Sequence, residues 1–157
     1  LKKGADVYLS KPFDKEELLV RLKQLNLLRQ RLREKYSSFP LASFQSFKNT
    51  SNPEDSFFQK LLQIIEDNYT NDRFNLPELC QKIGMSRSQL FRKMKALMDT
   101  SPSEFLRNFR LEKAKQLLEN TTTSVSEAAY QTGFKDPSYF TKLFKQKFGM
   151  QPNYLRK

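Results

Sequence analysis

Apolar residues recur every three or four positions along most of the chain, which is the spacing of one face of an α-helix. The first series predicts a helix over about 15–35, with Asp14 as its N-cap and Glu17 as the capping-box partner. The apolar stripe of this helix consists of Leu18, Leu22, Leu25, Leu28 and Leu32. A short β-prone run at residues 5–9 is the one strand signal in the chain.

Residues 36–56 change in character, because Ser, Asn and Pro cluster there in combinations typical of loops. We interpret this segment as a linker and expect Phe39, Phe44 and Phe47 to pack on a neighbouring element. From residue 57 to the end the pattern is helical. The predicted helices span about 57–69, 76–83, 87–98, 103–119, 125–132 and 136–148. The sequence therefore predicts an all-α fold after residue 10.

The same sub-pattern occurs twice in this helical part. A short helix, a glycine-containing turn and a basic helix follow one another at 76–98 and again at 125–148. In each basic helix, apolar residues recur at core spacing and the remaining positions are polar or basic. This order is typical of a duplicated helix-turn-helix, in which the second helix of each unit enters the major groove of DNA.

The net charge of the chain indicates what kind of partner these helices bind. The chain carries 28 Lys and Arg against 17 Asp and Glu, a formal net charge of +11. Such an excess indicates an anionic partner, which could be nucleic acid, an anionic membrane surface or an acidic protein, although a basic protein can also lack such a partner. Two basic helices in matching contexts favour nucleic acid. Binding of RNA or DNA through charge alone, without sequence preference, is the competing hypothesis.

Residue types that the chain lacks exclude several other functions. It has no His and one Cys, so a Cys/His zinc site and a Ser-His-Asp triad are excluded, and we expect no enzyme activity, metal or cofactor. Helical spacing places Cys80 near Leu76, Leu79 and Ile83, which predicts a buried side chain. The sequence shows no membrane-spanning segment or signal peptide, and we expect a cytoplasmic protein. The absence of an initiating Met suggests a piece of a longer chain.

The helical part resembles the AraC/XylS-type DNA-binding domain, over residues from about 57 to 157. The matching motifs are Ile83-Gly84-Met85-Ser86, Leu90-Phe91-Arg92-Lys93-Met94-Lys95, Ser101-Pro102, Arg110-Leu111 with Ala114, Gly133-Phe134, Ser138-Tyr139-Phe140 and Phe148-Gly149. The resemblance implies an all-α domain of seven helices. In it, two helix-turn-helix units are joined by the long helix 103–119, and both recognition helices enter successive major grooves of double-stranded DNA.

The resemblance also supplies candidate DNA contacts, carried over by position. The base-reading candidates are Ser88, Phe91 and Arg92 in the first unit, and Ser138, Tyr139, Thr141 and Lys142 in the second. Phe91 either touches a thymine methyl group or packs inside. Arg92 is the side chain most suited to a guanine edge, because its guanidinium can bond both O6 and N7. The phosphate candidates are Arg87, Lys93, Lys95, Lys145 and Lys147.

Two positions depart from the common family pattern. Asp99 stands where the family usually has Gly after the first recognition helix, and Tyr154 stands one position early. RNA polymerase is a further partner that the resemblance allows.

Residues 1–35 are similar to the end of a response-regulator receiver domain. The similarity lies in Gly4-Ala5-Asp6-Val7-Tyr8-Leu9-Ser10-Lys11-Pro12-Phe13 and in the helix that follows. It implies that Lys11 would contact a phosphoryl group and that Pro12 would follow a cis bond, but the phosphoacceptor Asp of the family lies upstream of this chain. A receiver end followed by this output domain resembles the C-terminus of hybrid two-component regulators. In such a parent, receiver and kinase domains would lie upstream and could be anchored in the inner membrane.

The apolar stripe from Leu18 to Leu32 would contact the receiver in the parent chain. Without that receiver, we expect the stripe to self-associate or to dock on the second domain.

Overall fold

The computed structural model describes residues 14–37 and 52–155, which form helices connected by turns. The α-helices are α1 (Lys15–Ser37), α2 (Pro53–Glu66), α3 (Leu76–Ile83), α4 (Arg87–Met98), α5 (Pro102–Asn120), α6 (Val125–Gln131) and α7 (Pro137–Phe148), followed by a 3-10 helix, Pro152–Leu155. No strand occurs in these two ranges, which confirms the all-α prediction. The 3-10 helix is the seventh element after α1. The predicted strand at 5–9 and Phe39, Phe44 and Phe47 lie outside the described residues.

Helix α1 begins where the sequence predicts but is capped differently. The Asp14 carboxylate accepts a hydrogen bond from the Glu16 amide at 3.2 Å. Glu17, the predicted capping-box partner, instead forms an ion pair with Arg21 at 2.6 Å, one helical turn further on. The capping-box prediction is therefore wrong, because the opposite charge at position i+4 engages the Glu17 side chain.

Helix α2 begins four residues earlier than predicted. Asn52 is its N-cap and accepts a hydrogen bond from the Glu54 amide, and Pro53 occupies the first turn. An Asn-Pro pair is typical of loops, but it suits a helix start equally well, since a proline in the first turn has no amide hydrogen to leave unpaired. The predicted linker 36–56 therefore overlaps helical residues at both ends, because α1 also continues to Ser37.

The two helix-turn-helix units have separate hydrophobic cores. The first gathers fully buried side chains from α2, α3 and α4 around Phe58, Leu79, Leu90 and Met94, together with Phe74 from the loop before α3. The second gathers Ala128, Phe140, Phe144 and neighbouring side chains of α6 and α7.

Helix α5 joins the two cores. Leu106 and Phe109, in its N-terminal half, pack in the first core, whereas Leu111, Ala114 and Leu118 pack in the second. One helix therefore contributes buried side chains to both units. This arrangement fixes the positions of the two units relative to each other, which the sequence pattern alone leaves open.

Arg110 reinforces this connection at the middle of α5. Its Nε donates to the Tyr69 carbonyl at 2.9 Å, and its Nη2 donates to the carbonyls of Asn71 and Phe74 at 2.8 and 3.1 Å. Burial lowers the pKa of Arg110, and the charge of Asp72 opposes that shift. The guanidinium thereby ties the loop between α2 and α3 to the helix that both units share.

Gly133, in the turn between α6 and α7, packs against this Arg110 contact. A Cβ at Gly133 would lie 2.2 Å from the Tyr69 carbonyl oxygen and 2.8 Å from Arg110 Nε. With φ of +82°, the position also favours glycine by conformation. The turn of the second unit thus touches the first unit through backbone atoms.

The C-terminal end of α1 docks on the first unit. Tyr36 is 2% exposed in the first core, and its hydroxyl donates to the buried Asp55 carboxylate at 2.5 Å. Lys35 donates to the same carboxylate, and Leu32 packs against the core. The expected docking of the stripe is therefore seen at its C-terminal end, where α1 lies against α4.

The remainder of α1 keeps apolar side chains at its surface. Leu22 and Leu28 of the predicted stripe are about half exposed, at 47% and 53%. Leu19, Val20 and Leu27, on other sides of the helix, are also about half exposed. Half-exposed apolar side chains among the charged residues of a helix are typical of a surface that further contacts would cover.

Candidate nucleic-acid interface

Local capping interactions define the turn of the first helix-turn-helix unit. Helix α3 ends at Gly84, which adopts a left-handed conformation, and Ser86 starts α4. The Ser86 hydroxyl accepts from the Gln89 amide at 3.3 Å, while the Gln89 side chain accepts from the Ser86 amide at 2.9 Å. This reciprocal capping box fixes the first residue of the recognition helix, and it confirms Ser86 as the predicted cap.

The outer face of α4 carries the three base-reading candidates of the first unit. Leu90, Met94, Leu97 and Met98 are buried on the opposite face. Ser88, Phe91 and Arg92 are exposed, and Phe91 retains 47% of its surface. The Phe91 ring is therefore at the surface and does not pack inside.

The phosphate candidates of α4 divide between two sides of the helix. Lys93 lies over the Phe57 ring of α2, with Nζ 4.4 Å from the ring centroid, and so points along the inner side. Arg87 and Lys95 are exposed. Lys95 Nζ forms an ion pair with Asp99 at 3.0 Å, and Arg33 of α1 approaches the same carboxylate at 3.5 Å.

Asp99 occupies an unusual position at the end of α4. It is the only non-glycine residue with positive φ in the described ranges, at 55°. The hydrogen bond from Lys95 and the charge of Arg33 hold the pKa of Asp99 below its usual value. A carboxylate is thus retained beside a cation of the recognition helix, at a position where the resembling family has glycine.

The second unit repeats the construction of the first. Ser124 and Glu127 form a capping box at the start of α6. Asp136 caps α7 by accepting from the Ser138 amide at 2.8 Å, and Pro137 occupies the first turn. Helix α7 ends at Gly149 in a left-handed conformation, as the sequence predicts.

The outer face of α7 carries the candidates of the second unit. Phe140, Leu143 and Phe144 are buried on its inner face. Ser138 and Lys142 are exposed, and Tyr139 retains 51% of its surface. Thr141 is half-buried, and its hydroxyl donates to the Pro137 carbonyl at 2.9 Å.

The two phosphate candidates near the end of α7 differ in direction. Lys145 is exposed. Lys147 forms an ion pair with Glu112 of α5 at 3.2 Å and lies over the Phe148 ring, so its cation is directed toward the body of the domain. The geometry favours Lys145 over Lys147 as a phosphate contact.

Two adjoining open cavities lie beside the recognition helices. One open cavity of about 410 Å³ is lined by Ser88, Phe91 and Arg92 of α4. A second, of about 590 Å³, reaches Tyr139 of α7. Leu76, Pro102 and Ser103 line both cavities. The two cavities therefore adjoin along the N-terminal half of α5, and we call them together the groove between the recognition helices.

This groove contains cations that the sequence analysis did not identify as candidates. Arg107 of α5 and Lys135 of the turn before α7 line it beside Tyr139. Arg107 follows Ser103 by four residues and precedes Arg110 by three, a spacing that predicts one shared helix face. That spacing could have indicated an exposed polar line on α5, but not that the line faces the space between the recognition helices.

Other classes of site are not supported where the structure is defined. Lys11 and Pro12, the receiver-remnant residues, lie outside the described ranges. Within 14–37 and 52–155, no group of three His, Cys, Asp or Glu side chains is placed to hold a metal ion. Cys80 is half-buried beside the first core. None of the described helices is both long and apolar enough to cross a bilayer.

Known proteins with related sequences match this chain over different lengths. Histidine kinase P4 of Formosa agariphila is 39% identical over 153 residues, which are 98% of this chain and 11% of that kinase. The chain also matches curated transcriptional regulators, and it spans 29% to 36% of their length.

Solved structures of related domains match about two thirds of this chain. The C-terminal domain of the two-component response regulator yesN from Fusobacterium nucleatum has a TM-score of 0.58 and 34% identity, over 62% of this chain and 94% of that domain. The DNA-binding domain of the transcriptional factor AdpA, solved in complex with a target DNA, has a TM-score of 0.57 and 26% identity, over 66% of this chain and 89% of that one.

A family model described as a helix-turn-helix domain matches residues 79–157, half of the chain. The matched segment contains both recognition helices and the helix that joins them. The chain therefore belongs to the helix-turn-helix domain family, and its double unit is of the AraC type.

Proposed function

We propose that this chain is the sequence-specific DNA-binding output domain of a bacterial transcription regulator, with α4 and α7 in successive major grooves. The observation that carries the proposal is the pair of adjoining cavities, one bordered by the outer face of α4 and the other by Tyr139 of α7. Two recognition helices whose units pack on one shared helix can read two successive major grooves of the same duplex. The similar DNA-binding domain of AdpA was solved in complex with a target DNA, which supports DNA as the ligand.

Base reading is assigned to the outward side chains. Arg92 has the fork geometry for O6 and N7 of guanine, and the exposed ring of Phe91 suits a thymine methyl group. Ser88 offers a hydroxyl to either kind of base edge. In the second unit, Ser138, Tyr139, Thr141 and Lys142 have the corresponding role.

Phosphate contacts are assigned to exposed cations that flank these side chains. Arg87, Lys95 and Lys145 meet that condition. They would supply affinity and orientation, whereas base contacts supply sequence preference. For Lys93 and Lys147, whose cations face the body of the domain, phosphate contact stays a prediction.

The test is selection from a pool of random duplex DNA at near-physiological salt, followed by sequencing. We expect a bipartite motif whose halves are separated by roughly one helical turn. The Arg92→Ala variant should lose preference in one half only, and Lys142→Ala in the other. Lys23→Ala, on the exposed part of α1, is the matched control and should select the wild-type motif. Binding without an enriched motif would support charge-driven association in place of this proposal.

We further propose that the parent protein is a hybrid two-component regulator with receiver and kinase domains upstream. The similarity to histidine kinase P4, which extends over 98% of this chain, supports this proposal. Residues 1–35, with Lys11 and Pro12, would then complete the receiver domain. The DNA-binding end would act in the cytoplasm, with RNA polymerase as a further partner, while the parent could be anchored in the inner membrane.

The exposed apolar part of α1 supports self-association as an additional proposal. Leu22 and Leu28 are the stripe residues that the docked end of α1 leaves at the surface. Replacing both by Glu should shift the chain toward monomer in light scattering if two copies meet through this surface. A wild-type chain that is monomeric over the accessible concentrations would refute this proposal without affecting DNA binding.

A further inference from the structure

We propose that Arg107 and Lys135 bind the sugar–phosphate backbone of the DNA segment that lies between the two major grooves. This inference rests on the proposed DNA binding and adds a third contact region, in the groove between the recognition helices. Both side chains line the cavity of about 590 Å³ that ends at Tyr139. A cavity of this size admits a short stretch of backbone but not a duplex.

The two cations differ from their neighbours in having no partner inside the protein. Arg107 and Lys135 form no hydrogen bond or ion pair with any part of the chain that the structure describes. Arg110, one helical turn from Arg107, instead uses its guanidinium on three backbone carbonyls. Of the three cations that line the cavity of about 590 Å³, Arg107 and Lys135 are therefore the ones available to an external anion.

The two carboxylates of the groove do not neutralise these cations. Asp136 accepts the Ser138 amide as the cap of α7, and this bond directs its charge to a helix start. Asp72 acts on Arg110, whose pKa its charge raises against the effect of burial. Arg107 is on the floor of the groove and Lys135 at the border with α7, so the excess positive charge lies across the space between the recognition helices.

The geometry of B-DNA places phosphate groups opposite these two cations. When two helices occupy successive major grooves on one face, the minor groove and its two phosphate strands lie between them. Those phosphates must then pass the part of the protein that separates the helices, which here is the N-terminal half of α5. Side-chain cations at that place would hold the register of the duplex without reading its sequence.

The first test measures the affinity of Arg107→Gln, Lys135→Gln and the double variant for the selected duplex as salt is raised. We expect each single variant to bind more weakly with the same base preferences. Each lost phosphate contact should make the negative slope of log K against log salt shallower by roughly 0.9. Between 50 and 200 mM salt, a single variant should therefore lose about 3.5-fold less affinity than wild type does. Lys23→Gln is the matched control and should retain both the affinity and the slope.

The second test determines which part of the DNA the two cations contact. A duplex with neutral methylphosphonate linkages between the two half-motifs should bind wild type more weakly, by a factor similar to that of the double variant. The double variant should not distinguish this duplex from the unmodified one. If the neutral linkages weaken the double variant by the same factor as wild type, the two losses are independent and the proposal is overturned. Unchanged salt slopes in the variants, or a change in their base preference, would also overturn it. A wild type that selects a motif while the variants are unaffected would overturn only this inference, whereas a wild type that binds no duplex would refute both.

Discussion

Replacing Gly133 by Ala tests whether the turn of the second unit is fixed by contact with the first. Gly133, Gly84 and Gly149 have nearly the same φ, at +82°, +78° and +73°. Their surroundings differ, since a Cβ at Gly84 or Gly149 would have no atom within 4 Å. The three substitutions therefore share one conformational cost, and only Gly133→Ala adds a steric one.

The expected magnitudes follow from these distances. An alanine in the left-handed region costs roughly 1–2 kcal/mol, which is the whole effect expected at Gly84 and Gly149. At Gly133 the Cβ would lie 2.2 Å from the Tyr69 carbonyl oxygen, so that carbonyl must move. Its movement breaks the 2.9 Å hydrogen bond from Arg110, and a hydrogen bond to a charged group contributes about 1.5–3 kcal/mol. Gly133→Ala should therefore destabilise the domain by roughly 2.5–5 kcal/mol.

Urea unfolding followed by helical circular dichroism measures these differences, provided that the m-values stay equal. Gly149→Ala is the closest control, because it also lies at the end of a second-unit element. In an Arg110→Ala background, the excess cost at Gly133 should shrink, since one of its two steric partners is then absent. Losses at Gly133 and Gly149 that agree within about 0.5 kcal/mol, the usual limit of additivity, would refute the steric argument.

Two further predictions concern the docked end of α1 and the end of α4. Burial, followed by the hydrogen bond and charge of Asp55, raises the pKa of Tyr36. The folded state therefore keeps Tyr36 neutral while the unfolded state ionises near pH 10, and stability should fall above that pH by up to about 1.4 kcal/mol per unit, less where solvent screens Asp55. Tyr36→Phe should remove this loss in urea unfolding between pH 9 and 11, and an unchanged pH dependence would contradict the assignment. Asp99→Asn keeps a residue type that tolerates positive φ but releases Lys95 from its ion pair. It should tighten duplex binding roughly twofold to fivefold at low salt in a fluorescence anisotropy titration, and weaker binding would exclude Lys95 as a phosphate contact.

The docking of α1 changes where the DNA-binding module begins. Tyr36 is part of the first core, and its hydroxyl and Lys35 both bond Asp55 of α2. A chain that starts at the predicted boundary, residue 57, would lack Asp55 together with both of its partners, and it would also lack the Tyr36 ring that packs 4.9 Å from the Phe58 ring in the first core. A stable module therefore includes the C-terminal end of α1, which lies against α4.

The sequence by itself determined the elements that depend on near neighbours. Ser86 and Gly149 are local signals, since a capping hydroxyl acts on an amide three residues away and a left-handed glycine ends its own helix. The inner faces of α4 and α7 are equally readable, because burial repeats at helical spacing. For the same reason, periodicity alone suffices to place Arg92 and Lys142 on the outer faces of their helices.

Tertiary structure decided the features that join distant parts of the chain. Spacing could not show that Lys93 lies over Phe57, or that Lys147 is directed to Glu112, because partners on other helices select the side-chain rotamer. The groove that unites Arg107 with Lys135 arises only when α5 and the turn before α7 pack together. The backbone contact at Gly133 likewise depends on that packing. Helical periodicity specifies which face of a helix is polar, whereas the packing of the two cores on α5 determines what that face meets.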